Sequence, residues 1–246
     1  MGILMSTRAD IYLVEHGYAS SRAEAQAAIR AGLVSAEGKP VLKASQPVQD
    51  GAAIAYAKAH PYVSRGALKL IAALDHFKLS PEGLTCLDIG ASTGGFTEVL
   101  LERGAGKVYA VDVGHGQLRE KISTDPRVVS LEGVNARDLT GTQIPEPPEA
   151  VVVDVSFIGL KLVLPAAMAL ARQAWLVALV KPQFEAGRAQ IGKGGIVKDA
   201  AAQEAVLKDI AAWLGAQPGW SLLGTMESPI PGGDGNREFL IAARKT

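Results

Sequence analysis

Cysteine is nearly missing from this 246-residue chain: the single one, Cys86, lies inside an apolar run and can form no intrachain disulfide. That excludes disulfide-stapled scaffolds, leaves no disulfide partner to expect, and fits a reducing, cytoplasmic compartment. Excess charge is missing too, with 25 basic and 25 acidic residues. Bulk charge therefore gives no sign of a nucleic-acid partner, and any such case must rest on placement and motif. No secretory leader is visible, because residues 1–5 are too short for an apolar core and Ser6-Thr7-Arg8-Ala9-Asp10 follows at once. The run 162–180 nearly has the length of a membrane span, but Pro165, Arg172 and Gln173 interrupt it. A buried helix followed by a core strand accounts for it better, and no membrane partner is expected.

What is present centres on Cys86-Leu87-Asp88-Ile89-Gly90-Ala91-Ser92-Thr93-Gly94-Gly95-Phe96-Thr97. Residues 84–89 read as an apolar strand, and 96–101 as an amphipathic helix. The glycine turn between them lets a cofactor approach the backbone. About twenty residues on, a second apolar strand, 108–111, ends in Asp112, where a doubly wound fold places an acid for ribose hydroxyls. The dinucleotide fingerprint G-x-G-x-x-G would need glycine where Ser92 stands, and Asp88 precedes the first glycine. A pyrophosphate wants bare backbone N–H groups. A phosphate-free zwitterion such as S-adenosylmethionine suits a carboxylate and a hydroxyl, which leaves an NAD oxidoreductase as the weaker alternative. The expected cofactor contacts are Asp88, Gly90, Ser92, Gly94, Gly95, Phe96, Asp112 and, after a third strand at 128–131, Asp138.

Residues 6–59 differ in character from the rest. Helical spacing over 8–14 stops near Gly17, and Ser20 or Ser21 can cap a second helix, 22–31, closed by Gly32. Strand-like pieces follow around Val34, Val41 and Ile54, with turns at Gly38 and Asp50-Gly51. Arg8, Arg22, Arg30, Lys39 and Lys43 recur at intervals that could share one face. His60-Pro61-Tyr62 is stiff, because the residue before proline avoids the helical region, so 60–63 reads as a linker to a second domain, 64–246.

In that second part, Ser64 is placed to cap a helix, 65–77, with Leu68, Ile71, Ala72 and 74–77 facing a core. Lys69 on this helix reads, from spacing alone, as a solvated surface residue. Further strands are expected at 149–157, 175–180, 220–226 and 237–243, and further helices at 160–171 and 199–214. This alternation implies an α/β domain with a Rossmann-like parallel sheet and helices on both faces, with its ligand crevice at the strand C-termini. Asp88, Asp112, Asp154 and Lys181 each end an apolar strand on that edge. Glu238 opens the last strand, which in antiparallel orientation reaches the same rim. The basic segment 187–194 nearly spells a phosphate-binding loop, but Gly194 stands where serine or threonine must hold magnesium. A hinged loop over a substrate cleft, with Arg188, Lys193 and Lys198 touching RNA, or a plain flexible loop fits better.

The run 8–34, with its Ser21-Arg22-Ala23-Glu24-Ala25 start and Ile29-Arg30-Ala31-Gly32-Leu33-Val34 end, resembles the S-four-like RNA-binding domain, a small α+β fold. The resemblance implies arginines on RNA phosphates. Ser64-Arg65-Gly66-Ala67-Leu68-Lys69-Leu70, the glycine turn, Asp154-Val155-Ser156-Phe157, Lys181-Pro182-Gln183-Phe184-Glu185 and Asn236-Arg237-Glu238-Phe239 are similar to motifs of the FtsJ-type ribose 2′-O-methyltransferases. Together the two halves resemble the TlyA (hemolysin A) family of ribosomal RNA methyltransferases. That resemblance implies a catalytic tetrad at Lys69, Asp154, Lys181 and Glu238 and overturns the surface reading of Lys69. It also implies S-adenosylmethionine as cofactor, no metal, an RNA contact at Arg65, and ribosomal RNA or ribosomal subunits as partner, with a cytidine ribose as target. A cytolysin and a non-catalytic RNA-binding assembly factor remain the alternatives.

Overall fold

The computed structural model describes residues 6–186, 196–197, 199–232 and 235–246, and divides into two compact units, 1–61 and 62–246. In the first unit, β1 (Ser6–Arg8) pairs antiparallel with β4 (Pro47–Gln49), and β2 (Val34–Ala36) lies between β3 (Lys39–Pro40) and β5 (Ile54–Tyr56). Helices α1 (Ala9–Glu15) and α2 (Arg22–Arg30) pack Tyr12, Leu13, Ala25, Ala28 and Ile29 onto Val34, Val41 and Val48. Arg8 therefore ends a strand rather than starting the first helix. The β1–β4 pair escapes the periodicity because β4 buries Val48 alone and starts at a proline, which sheets accept at strand starts. Ser21 is the cap of α2: its side chain accepts from Glu24 N, while Glu24 reaches back to Ser20 N.

The second unit is built on a seven-stranded sheet. Its parallel strands are β6 (Thr85–Ile89), β7 (Lys107–Asp112), β8 (Val128–Glu132), β9 (Ala150–Val153) and β10 (Ala174–Val180). β11 (Trp220–Glu227) and β12 (Phe239–Lys245) return antiparallel, giving the order β11-β12-β10-β9-β6-β7-β8. Every residue of β9 and β10 is buried, as their unbroken Val, Leu and Ala runs require of strands covered on both faces. Alternation along β6 sends Leu87 and Ile89 to one face, under α6 (Leu160–Leu170) and α8 (Ala200–Gly215). Cys86 goes to the other, under α3 (Gly66–Phe77) and α4 (Gly95–Glu102). Two short helices, α5 (Glu120–Ser123) and α7 (Pro182–Glu185), complete the unit.

Three local expectations are corrected. Helix α3 buries Ala67, Lys69, Leu70, Ala73 and Leu74 and packs Ile71 and Phe77 against the core, while Leu68 and Ala72 are only half-buried and Asp75 and His76 are exposed. The fourth parallel strand ends at Val153 instead of running on to residue 157; by Phe157 the chain has left the sheet and takes a left-handed φ of 66°. The last strand begins at Phe239, so Glu238 stands just ahead of it.

Candidate active site

Register gathers the polar residues. Val153 pairs across to Ala178 and Ile89, so the chain leaves β9, β10 and β6 on one edge. Val180 pairs with Phe239, which sets Lys181 beside Glu238 at that edge. Helix α3 joins from the side of Asp154: a Cβ on Gly66 would sit 3.5 Å from Asp154 Oδ2.

Two ion pairs result, one buried and one half-buried. Lys69 Nζ donates to Glu238 Oε2 at 2.5 Å, with side chains only 9% and 3% exposed. Lys181 Nζ lies 2.6 Å from Asp154 Oδ1 and donates to Ser156 Oγ at 3.0 Å. The structure thus brings Lys69 to Glu238 and Lys181 to Asp154, and it buries Lys69, as spacing alone does not suggest. Such pairs contribute little net stability, because desolvation offsets attraction, so a role beyond stability is the reason to look at them.

An aromatic pair borders the second ion pair. Phe157 is 90% exposed, and its ring lies 5.0 Å from that of Phe184, centroid to centroid. Lys181 Nζ lies 6.0 Å from the Phe184 ring. A phenylalanine left in water with a left-handed backbone is strained twice over, which points to use rather than packing. Ser156, Phe157 and Phe184 received no role from sequence, although all three sit inside quoted motifs.

The glycine turn is shaped by its neighbours as much as by any ligand. Gly90 has φ of 82°, and a Cβ there would lie 2.3 Å from the Asp154 carbonyl oxygen. Gly95 lets Ser64 pack against it, since its Cβ would meet Ser64 Oγ at 2.1 Å. Ser64 Oγ in turn accepts from Gly66 N, at the entrance to α3. Gly94 is the left-handed N-cap of α4. Phe96 is buried in the core, with its ring near Gly66.

Around this turn, Asp112 Oδ2 accepts from Ser92 N at 2.8 Å and Oδ1 from Gly114 N at 2.7 Å, while Ser92 Oγ meets Gln117. Glu132, not anticipated, accepts from Gly116, Gln117 and Leu118 N–H and fixes that loop; the three N–H groups hold its carboxyl below the usual range. Asp138 is exposed at the end of a 3-10 turn, Ala136–Asp138. Asp88 is fully buried, accepts from Thr97 Oγ1 at 2.6 Å through Oδ2, and leaves Oδ1 without a partner among the described residues. Burial, opposed by Thr97 and reinforced by Asp154, pushes its carboxyl up to about 7. A buried orphan oxygen of this kind suits a cationic ligand group. Glu98 is a further missed residue: it faces inward from α4, accepting from Val63 N and from Lys121. Its only signal is a charge flanked by the apolar residues of α4.

In the first unit, the buried Asp10 accepts from both Arg8 and Arg22 and from Gln26. These donors hold its carboxyl far below the ordinary range. Arg8 and Arg22 are thereby brought together with exposed flanks. Arg30, Lys39 and Lys43 are exposed on α2, β3 and the loop after it. Arg65 occupies the N-cap position of α3. Arg188, Lys193 and Lys198 lie outside the described residues. Among the described residues no group of His, Cys, Asp and Glu is placed to hold a metal ion, and no helix is long and apolar enough to cross a membrane.

Comparison with known proteins agrees with this geometry. Residues 62–245 match the family described as FtsJ-like methyltransferase, and residues 7–54 match the S4 domain. The 16S/23S rRNA (cytidine-2′-O)-methyltransferase TlyA of Mycobacterium tuberculosis is 46% identical over 240 residues, covering 96% of this chain and 89% of that protein. Hemolysin A of Brachyspira hyodysenteriae is 42% identical over 95% of this chain and 98% of its own. A solved structure described as a candidate hemolysin from Streptococcus thermophilus superposes with a TM-score of 0.78 at 42% identity, covering 99% of this chain and 90% of that one. With both halves matched in order and nearly the full length aligned, the chain belongs to the TlyA (hemolysin A) family of FtsJ-like methyltransferases.

Proposed function

We propose that this enzyme methylates a ribose 2′-oxygen, that of a cytidine in ribosomal RNA, from S-adenosylmethionine. The observation that carries the reading is the meeting of a buried and a half-buried lysine–carboxylate pair beside the glycine turn, with the exposed Phe157 against Phe184 at their border. The M. tuberculosis relative is named for this reaction. In this reading the chain works in the cytoplasm, where ribosomal RNA is made and used.

The residues around the turn suit the cofactor. Asp112 stands where ribose hydroxyls are held, and the orphan Oδ1 of Asp88 suits an ammonium. Ser92 and the glycines at 90, 94 and 95 line the approach. Bound there, S-adenosylmethionine supplies a methyl group on a sulfonium, an activated carbon that needs no metal to leave.

The remaining work is positioning and proton handling. Lys181, once its ammonium has given a proton to solvent, steers the 2′-hydroxyl in line with the methyl and takes its proton as the new O–C bond forms and the sulfonium S–C bond breaks. Asp154, 2.6 Å away, neutralises the ammonium that results, and Ser156 fixes its direction. Holding the two reactants in line supplies much of the rate, worth several kcal/mol on the order of 7–11 in favourable cases. The Lys69–Glu238 pair closes the other side of the site and presents charge to the substrate ribose or phosphate. Phe157 offers a ring on which a nucleobase can stack, worth about 1–3 kcal/mol per base. In the S4 unit, Arg8 and Arg22, set by Asp10, together with Arg30, Lys39 and Lys43, would bind RNA phosphates. Arg65, Arg188, Lys193 and Lys198 would add further RNA contacts. Phosphate contacts give affinity and orientation, and the target base is read elsewhere.

The test is transfer of labelled methyl to purified ribosomal subunits, followed by alkaline hydrolysis. A labelled cytidine dinucleotide that survives alkali supports the proposal. Label released in alkali-sensitive mononucleotides means base methylation and overturns it.

A further inference from the structure

Four residues beyond Lys181, Glu185 ends α7 and turns its carboxylate onto a different helix. Its Oε1 accepts from Leu160 N at 2.9 Å, the first residue of α6. The position that would normally cap α6 is Gly159, which has no side chain to do so. A Cβ on Gly159 would come within 3.0 Å of Glu185 Oε2, although its φ of −80° demands no glycine. A methyl there would press on the end of the Glu185 side chain. An unusual cap results: a carboxylate from another element does what a serine or aspartate at 159 would otherwise do.

The cap joins the two segments that carry the reaction. One is the loop 154–159, which holds Asp154, Ser156 and Phe157 and is tied at its start by Asp154 N to Ile89 O at 2.9 Å. The other is the turn 181–185, which holds Lys181 and Phe184. Between them run the Lys181–Asp154 ion pair, the Lys181–Ser156 hydrogen bond and the Phe157–Phe184 contact. Without Glu185 the far end of the loop has no fixed anchor on that turn, and Phe157 keeps a strained φ that the surroundings must impose.

We infer that Glu185 is a positioning residue: by capping α6 across Gly159 it locks the loop bearing Asp154 and Phe157 to the turn bearing Lys181. It touches neither substrate nor cofactor. The inference rests on the proposed use of Lys181 and Asp154, and it extends that reading to a residue for which only a hydrogen bond, not a charge, is needed.

Three variants of the full chain test it: Glu185→Ala, Glu185→Gln and Gly159→Ala. Glu185→Ala should lower kcat for methyl transfer to subunits on the order of 100-fold, with cofactor affinity unchanged. Glu185→Gln, whose amide oxygen can still accept from Leu160 N, should turn over close to wild type. Gly159→Ala should mimic Glu185→Ala by pushing the carboxylate aside, and the double variant should be no worse than either single one. Hydrogen exchange at residues 155–160 should quicken in Glu185→Ala and Gly159→Ala and stay slow in Glu185→Gln. Wild-type turnover in Glu185→Ala, or an equal loss in Glu185→Gln, overturns the inference. If wild type methylates no ribosomal RNA, the proposed function fails separately. The latch is then judged by exchange, and unchanged protection in Glu185→Ala refutes it.

Discussion

Replacing Lys69 with alanine leaves Glu238 buried without its partner, and the cost follows from the geometry. At 2.5 Å the gross attraction is about 7 kcal/mol for an effective dielectric of about 20. Desolvation of two ions, several kcal/mol each, consumes most of it, so the intact pair is close to neutral. Removing one partner exposes the cost alone, about 3–5 kcal/mol. For a unit of this size that lowers Tm by about 6–20 °C. Lys69→Met combined with Glu238→Leu removes both charges and should return stability to wild type or above, yet leave no methyl transfer. All three tryptophans, Trp175, Trp213 and Trp220, lie in the methyltransferase unit, so urea unfolding followed by their fluorescence reports on that unit alone. A loss under about 1 kcal/mol for Lys69→Ala would mean that water reaches the pair, against its burial. A double variant that still methylates would remove the pair from the chemistry.

Other consequences can be checked in the same preparations. Gly90→Ala forces a methyl within 2.3 Å of the Asp154 carbonyl at a φ that disfavours side chains, and should cost several kcal/mol, roughly 3 or more, in urea unfolding. Asp88 holds its proton to about pH 7 when folded but releases it near 4 when unfolded, so its contribution is full below pH 4 and is lost as pH rises to 7. The fall is about 4 kcal/mol at most, and Asp88→Asn should flatten that part of the stability profile. The Asp10 carboxyl moves the opposite way: its stabilisation is present above its ordinary range and lost only in strong acid. Asp10→Ala should therefore destabilise the S4 unit at neutral pH and weaken ribosomal RNA binding in a filter assay. An Asp10→Ala chain that binds RNA as tightly as wild type would show that Arg8 and Arg22 need no preorganisation.

The sheet and its rim were legible because they are written locally. Apolar runs of strand length end in Asp112, Asp154 and Lys181, and register then does the gathering, whereas Asp88 lies buried within its strand, one residue short of the end. Glu238 was also placed correctly, because a return strand after so long a loop can pair antiparallel. Residues whose meaning depends on a distant partner were not legible. Lys69 has helical spacing compatible with solvent, and only Glu238, 169 residues away, explains its burial. Asp10 looks like an ordinary first-turn acid until Arg22 and Gln26 fold over it. Glu185 reads as the end of a motif and not as the cap of a helix that starts 25 residues earlier. Phe157 passes for a strand residue because apolar and aromatic runs favour strands, and only its backbone angle reveals that the chain has left the sheet.

The most direct test of the account compares wild type with Lys181→Ala, measuring both cofactor affinity and labelled methyl transfer to ribosomal subunits. The account predicts that Lys181→Ala keeps the cofactor and loses the alkali-resistant ribose label. Label appearing at the wild-type rate in that variant would contradict the role given to Lys181 and its pairing with Asp154.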